Sequence, residues 1–246
     1  MASKQRIDQL LVARGLFESR ARAQAAIAAG LVRVDGATAR KASEAVNADA
    51  QIDAEQPHPW VSRGGLKLTH ALDVFGVDPN GRFCLDVGSS TGGFTDVLLT
   101  RGARRVIAVD TGRDQFHARL RSDPRVALHE SCDIRRFTPA PDDERASLIV
   151  VDVSFISLSL ILPALAPLAT ADAILIALIK PQFEVGRANI GKNGVVADAS
   201  ARQDAIARIQ AKAAAEGWRV DDVIDSPIEG GDGNREYLML ARRSGS

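Results

Sequence analysis

Four charged residues stand at the ends of apolar runs, and this pattern restricts the possible folds more than anything else in the 246 residues. Asp86 lies at the end of the run 82–87, Asp110 follows 105–109, Asp152 follows 148–151 and Lys180 follows 173–179. Residues 126–128 form a shorter run of the same kind. Helix-forming stretches intervene, among them 94–101 and the start of 155–168. A longer helix is predicted from an N-cap at Asp198, with Ala201, Ala205, Ile209 and Ala213 on one face and Gly217 ending it. Residues 219–224 and 236–240 read as late strands, the last of them antiparallel. Strand–helix alternation of this kind predicts an α/β fold, a mostly parallel sheet with helices on both faces. Ligands of such sheets bind beyond the carboxyl ends of the strands, so the four charged residues are expected to converge on one site.

Residues 158–179 need separate treatment. The stretch is apolar apart from Ser159, Thr170 and Asp172 and is about long enough to span a bilayer. A membrane-active protein is therefore one alternative. Pro163, Pro167 and Asp172 interrupt the stretch where a spanning helix would suffer most. A buried helix followed by a buried parallel strand accounts for it better, and no stable membrane association is expected.

The formal charge is zero, which looks unfavourable for a polyanionic partner, but its distribution is uneven. Residues 1–41 carry eight basic side chains against three acids, a net +5, which leaves −5 on the remainder. The basic residues are Lys4, Arg6, Arg14, Arg20, Arg22, Arg33, Arg40 and Lys41. A solvated helical face would also look like this. The spacing within the segment favours something more specific. Ile7, Leu10 and Leu11 mark a short amphipathic helix ended by Gly15. Ser19 caps a second helix with the stripe Ala23, Ala26 and Ile27, stopped by Gly30. Leu31, Val32 and Val34 then run as a strand into the hairpin signal Asp35-Gly36. Helix, helix and hairpin with basic residues on one side is a compact RNA-binding arrangement, and Lys4, Arg6, Arg14, Arg20, Arg22, Arg33 and Lys41 are the candidate contacts. Binding by such a module is expected to be salt-sensitive.

Pro57 and Pro59 forbid regular helix between the two halves, and Gly64-Gly65 adds freedom there. The predicted organisation is an RNA-binding domain over 1–57, a linker over 58–65 and an α/β domain over 66–246. Trp60 is expected to anchor the linker on the second domain.

The turn Leu85-Asp-Val-Gly-Ser-Ser-Thr-Gly-Gly-Phe94 follows a strand and opens a helix. Its glycine spacing departs from the G-x-G-x-x-G of a dinucleotide site, and Asp86 at its mouth would repel a diphosphate. A cationic, phosphate-free ligand suits it better, and S-adenosylmethionine, with an ammonium and a sulfonium, fits that description. Asp86, Gly88, Ser89, Ser90, Gly92, Gly93 and Phe94 are the expected contacts of the turn. Asp110 would accept the ribose hydroxyls, Asp133 the adenine amine, and Asp152 would stand near the methyl group. Singly, Asp86 could be a turn former and Asp110 or Asp133 a helix cap.

Four ionisable residues form the predicted catalytic set: Lys67, Asp152, Lys180 and Glu236. Methyl transfer to a hydroxyl needs a base, and a lysine serves only if burial or a neighbouring cation disfavours its charge. Lys180 would be that base and Asp152 would position it. Lys67 and Glu236 would hold the ribose and tune Lys180. Taken alone, Glu236 reads as a surface salt bridge. No metal site is expected.

Two resemblances add to this reading. Arg6-Ile-Asp-Gln-Leu-Leu, Gly15-Leu-Phe-Glu-Ser-Arg20 and Ala29-Gly-Leu-Val-Arg-Val-Asp-Gly36 resemble an S4 domain, which binds structured RNA. Nearly the whole chain resembles the TlyA (haemolysin A) family of rRNA 2′-O-methyltransferases. The motifs that carry this are Trp60-Val-Ser-Arg-Gly-Gly, Asp86 to Phe94, Asp152-Val-Ser-Phe-Ile-Ser, Lys180-Pro-Gln-Phe-Glu-Val-Gly and Asn193-Gly-Val-Val-Ala-Asp198. The resemblance implies an FtsJ-like, Rossmann-like class I methyltransferase domain whose Lys-Asp-Lys-Glu tetrad falls on Lys67, Asp152, Lys180 and Glu236. It also implies S-adenosylmethionine-dependent methylation of cytidine 2′-hydroxyls in rRNA within ribosomal subunits. Members that also modify small-subunit RNA tend to carry extra terminal sequence, which weighs against that target for a chain stopping at Ser246. A non-catalytic RNA-binding assembly factor is the competing reading. Two cysteines and an N-terminus without an apolar signal core lead to an expected cytoplasmic location.

Overall fold

The structure is a computed structural model; it describes residues 4–139, 144–191, 193–230 and 233–243. The chain divides into two compact units, Met1–Pro59 and Trp60–Ser246.

In the first unit, strand β1 (Lys4–Arg6) leads directly into helix α1 (Ile7–Ala13), and α2 (Arg20–Ala28) follows. The Ser19 side chain caps α2 by accepting from the Arg22 amide. Strands β2 (Val32–Val34) and β3 (Ala37–Thr38) form the expected hairpin, with Asp35 and Gly36 both at positive φ, 49° and 81°. β4 (Ala45–Asn47) pairs with β1, and β5 (Ile52–Ala54) pairs with β2. Ile7, Leu10, Leu11, Ala23, Ala26, Ile27 and Val32 form the core, as their spacing requires.

Asp8 is the one charged residue of this core, fully buried at 0 % exposure. It accepts from Arg6 Nε at 3.0 Å, Arg20 Nη2 at 2.9 Å and Gln24 Nε2 at 2.9 Å. These bonds, led by the Arg6 bond, hold its carboxyl well below the usual carboxylate range despite burial. Truncating it strands three polar partners, of which the arginines are half-exposed and return to water. Asp8→Ala is therefore expected to destabilise this unit by about 1–3 kcal/mol, read as a lower urea midpoint of its unfolding.

The second unit opens with α3 (Gly64–Phe75), ended by Gly76 in the left-handed region. β6 (Phe83–Val87), α4 (Gly93–Thr100), β7 (Arg105–Val109), α5 (Ala118–Arg121), β8 (Val126–His129) and β9 (Ala146–Val151) follow. Then come α6 (Leu162–Leu165), β10 (Ala169–Ile179), α7 (Pro181–Glu184), α8 (Ala199–Ala215), β11 (Trp218–Asp225) and β12 (Tyr237–Arg243). The sheet order is β11-β12-β10-β9-β6-β7-β8. β10, β9, β6, β7 and β8 are parallel, while β12 runs antiparallel to both β10 and β11. This is the expected α/β class, a Rossmann-like sheet. Alternate residues of the central strands enter different cores. Phe83, Leu85 and Val87 face one that includes Ile206 and Ile209 of α8, while Cys84 faces the other with Leu68 and Leu72 of α3 and Val97 and Leu98 of α4. Strand order reverses between β6 and β9, the switch point at which such sheets bind ligands.

One segment departs from expectation. Residues 155–168 begin with Phe155 at φ 64°, not with a helix. They continue as a 3₁₀ turn (Leu158–Leu160), α6 and a second 3₁₀ turn (Ala166–Leu168). Pro163 and Pro167 supply no amide donor and each sits in the first turn of its own short helix, which divides the run. β10 then starts at Ala169, four residues before the expected strand. Among the described residues no helix is long and apolar enough to cross a membrane.

Candidate active site

The glycine turn after β6 is shaped by close approach. Gly88 has φ 83°, and a Cβ there would lie 2.5 Å from the Asp152 carbonyl oxygen. Only glycine allows the ends of β6 and β9 to approach this closely. Gly92 and Gly93 serve packing. A Cβ on Gly92 would meet Leu120 at 2.5 Å, and one on Gly93 would meet Ser62 Oγ at 2.1 Å. Trp60 packs in the same way on Gly65, where a Cβ would lie 2.4 Å from its ring. It is therefore the anchor expected of it, seated in the core of the second unit.

Two adjoining cavities open above the switch point. The first, about 490 Å³, is walled by Gly88, Ser90, Asp110, Asp133, Asp152 and Ser154, with Gln115 and Phe155 at its sides. The second, about 290 Å³, is walled by Ser62, Gly64, Lys67, Phe94, Asp152, Ser154 and Lys180, with Ser89 and Gly93 in its floor. Gly88, Ser90, Asp152 and Ser154 belong to both.

The structure redistributes several residues assigned to a cofactor. Ser89, Gly93 and Phe94 line the second cavity, because the chain has turned into α4 by that point. Gly92 lines neither, being turned toward α5. Asp86 is not at the mouth of the turn. It is fully buried beneath it, with Oδ2 accepting from Thr95 Oγ1 at 2.6 Å and Oδ1 buried without a hydrogen-bond partner. Burial, reinforced by the nearby charges of Asp152 and Asp110, pushes its pKa up to about 7 against the Thr95 bond.

Asp110 Oδ2 accepts from the Ser90 amide at 2.7 Å and Oδ1 from the Gly112 amide at 2.6 Å, so the carboxylate is held rigidly toward the first cavity. Asp133 caps the short 3₁₀ turn 134–136 and is held by Arg135, Nη2 to Oδ2 at 2.5 Å, which keeps its pKa below the ordinary value. It is thus a cap and a wall of the cavity together. An orphaned carboxylate oxygen beneath the glycine turn, a rigid carboxylate at the next strand end and a cavity of this size fit a nucleoside carrying a cationic group. Gly88→Ala is expected to weaken cofactor binding at least about tenfold, since a strained φ and a displaced Asp152 backbone cost roughly 1–3 kcal/mol or more. Calorimetric titration with S-adenosylmethionine measures it.

The four residues expected at a catalytic centre come together as two ion pairs. Lys67 Nζ lies 2.5 Å from Glu236 Oε2, a contact across 169 residues, with both side chains buried. Lys180 Nζ lies 2.6 Å from Asp152 Oδ1 and donates to Ser154 Oγ at 2.8 Å. Lys67, Asp152 and Lys180 line the second cavity directly, and Glu236 reaches it through Lys67. The surface reading of Glu236 is overturned, since the residue is 4 % exposed. Its support comes from Asn234, also buried, which accepts from the Val196 amide at 3.0 Å and donates to the Gly194 carbonyl at 2.9 Å. The stretch Asn193–Asp198 thereby braces the loop that delivers Glu236.

Sequence reasoning missed Ser154, Asn234 and Asp96. Asp96 Oδ2 accepts from the Val61 amide at 2.9 Å and from Arg119 at 2.8 Å, tying the segment after Trp60 to α4. In the sequence it is indistinguishable from any acid in a first helical turn.

The seven basic residues expected to contact RNA divide into two sets. Arg6 and Arg20 brace Asp8. Arg14 donates to the Ala48 and Ala50 carbonyls, and Arg22 donates to Gln56 and the His58 carbonyl. Lys4, Arg33 and Lys41 are exposed and make no side-chain hydrogen bond or ion pair among the described residues.

Comparison with known proteins identifies the family and the fold. The family profile of FtsJ-like methyltransferases matches residues 60–243, and that of the S4 domain matches residues 5–52. The 16S/23S rRNA (cytidine-2′-O)-methyltransferase TlyA of Mycobacterium tuberculosis is 44% identical over 244 residues, covering 98% of this chain and 91% of that one. A solved chain from Streptococcus thermophilus that carries a hemolysin name is 40% identical, with a TM-score of 0.78 over 100% of this chain and 90% of that one. An S-adenosylmethionine-dependent methyltransferase from Mesorhizobium loti shares the fold at 14% identity and a TM-score of 0.53, covering 71% and 96%.

Proposed function

Since the chain belongs to the TlyA family of FtsJ-like methyltransferases, with an S4 domain preceding the methyltransferase domain, we propose that it methylates the 2′-hydroxyl of a cytidine in ribosomal RNA within a ribosomal subunit. The observation that carries this reading is the pair of lysine–carboxylate contacts around one cavity that shares a wall with the nucleoside-sized cavity. S-adenosylmethionine, when bound, supplies a methyl group on a sulfonium, whose C–S bond breaks, leaving its electron pair on sulfur, as the new C–O bond forms.

Lys180 takes the proton of the 2′-hydroxyl on its amine lone pair and ends as an ammonium. Asp152 faces both cavities and stabilises that ammonium where it forms. Lys67, fixed by Glu236, borders the same cavity and donates to the ribose oxygens. With Lys180 as a neutral amine, the two carboxylates outweigh the single Lys67 charge, and taking the proton brings the four groups to balance. Catalysis is then alignment plus proton removal. Asp110 holds the ribose end of the donor, and the buried carboxylate of Asp86 acts on the donor's positive charge through the turn above it, by charge and not by contact.

Incubation of the purified protein with tritiated donor and each bare subunit, followed by mass-spectrometric mapping, tests the assignment. One methylated cytidine ribose is the expected result. Subunit binding without methyl incorporation would instead identify a non-catalytic assembly factor.

The exposed cations of the S4 unit give a separate prediction. Neutralising Lys4, Arg33 and Lys41 together is expected to weaken subunit binding and to reduce the slope of log affinity against log salt by about 2, as three phosphate contacts would require. Donor affinity, measured by calorimetry, should not change.

A further inference from the structure

Lys180 makes two polar contacts of different kinds. Asp152 Oδ1 is nearest, at 2.6 Å, yet that oxygen receives no aligned hydrogen bond. The directed bond from Lys180 Nζ goes to Ser154 Oγ at 2.8 Å. The carboxylate therefore supplies charge, while the hydroxyl supplies direction.

We infer that Ser154 is a positioning residue for the base, fixing the rotation of the Lys180 amine so that its lone pair faces the acceptor cavity. The inference rests on the reading of Lys180 as the base. An amine able to accept a proton carries two N–H bonds and one lone pair, arranged tetrahedrally with the Cε bond. One N–H is fixed on Ser154, and a second is drawn toward the carboxylate. The remaining direction is left for the incoming hydroxyl.

After proton transfer the same direction holds the third N–H, so the two proton states need no rearrangement. Asp152 cannot provide this alone. Its hold on the amine is mainly Coulombic, weakest in the neutral state that reacts, and insensitive to rotation about the Cε–Nζ bond. A hydrogen bond to a hydroxyl persists in both states and depends on angle. Ser154 also borders both cavities, so its position follows the shared wall across which the methyl group must pass.

Two neighbours fix Ser154 itself. Asp152, two residues before it, donates its amide N–H to the Val87 carbonyl at 2.9 Å, which locks the end of β9 to β6. Phe155, which follows it, takes a positive φ of 64°, which turns the chain sharply after the serine. A non-glycine residue in this conformation is strained and is found mostly at functional sites.

The test is kinetic, on the full chain with bare subunits as substrate. Ser154→Ala is expected to lower kcat by about 10- to 100-fold, the cost of a misdirected reactive group. KM for donor and for subunits should stay unchanged, and the deficit should persist at every pH. Ser154→Thr, which restores the hydroxyl, should recover most of the rate, whereas Ser154→Cys, a weak acceptor, should not. Ser154 is exposed, and calorimetric donor binding together with the melting temperature verifies that each variant folds. Full kcat in Ser154→Ala beside an inactive Lys180→Ala would overturn this inference and leave the base in place. Recovery of the Ser154→Ala rate at high pH would also overturn it, since the serine would then tune proton affinity and not direction. Full activity in Lys180→Ala would remove the base reading itself, and this inference with it.

Discussion

Lys180→Ala is expected to reduce the single-turnover rate of methyl transfer by about 10³-fold, within the range contributed by a positioned general base. The residue is buried, borders the acceptor cavity and faces a carboxylate that also borders the cofactor cavity. Removing the amine leaves the ribose hydroxyl beside only the weakly basic carboxylate of Asp152. Donor affinity should fall little, because Asp86 and Asp110 lie outside the second cavity. The matching change at Lys67 behaves differently. Lys67→Ala leaves Glu236 as an unpaired buried carboxylate, which costs the fold about 3–5 kcal/mol. The melting temperature thus separates the two lysines, with the Lys67 variant losing stability and the Lys180 variant losing mainly chemistry. Unimpaired turnover in Lys180→Ala would sink the assignment of the base.

Asp86→Asn is expected to stabilise the free protein above neutral pH and to weaken donor binding, two effects of opposite sign from one change. Burial has raised the folded-state pKa of Asp86 to about 7, from an unfolded value of 3.8. Between those values the folded protein holds a proton that the unfolded chain releases. The contribution of Asp86 is therefore complete at low pH and is lost as pH rises from about 4 through 7. Above 7 the ionised carboxylate costs the fold on the order of 4 kcal/mol, which the amide avoids.

The donor reverses this balance, since its ammonium favours the ionised carboxylate. Affinity of the unaltered protein should rise as pH passes upward through 7, and binding near pH 6.5 should release a proton. Calorimetry in two buffers of different ionisation enthalpy detects the release. An Asn variant that binds the donor as tightly as the original, or that melts earlier at pH 8, would remove Asp86 from its place beneath the cofactor.

Local rules made much of the second unit legible. Apolar runs ending in Asp110, Asp152 and Lys180 stop at the ends of β7, β9 and β10, because a buried strand must surrender its polar residues where it leaves the core. Asp198 caps α8 with its own carboxylate, accepting from the Ser200 and Ala201 amides. Gly76, Gly88 and Gly217 stand at positive φ where the chain turns. The segment 155–168 is less legible. Leu158, Ile161, Leu162 and Leu165 are buried, but Phe155 and Leu160 are exposed, and two prolines and one strained phenylalanine break the helical pattern.

By itself, then, the sequence determined the α/β alternation, the small helical unit with its hairpin, and the set of lysines and acids available to a site. Periodicity, capping and turn geometry act over a few residues and are written locally. Only the tertiary structure decided which charge meets which. Lys67 finds Glu236 across 169 residues, Asp8 gathers two arginines that sequence reasoning had assigned to RNA, and Asp86 moves from the mouth of a turn to a dry place beneath it. Such pairings follow from strand order and burial, because a charge taken out of water is stable only beside the partner that the fold brings to it.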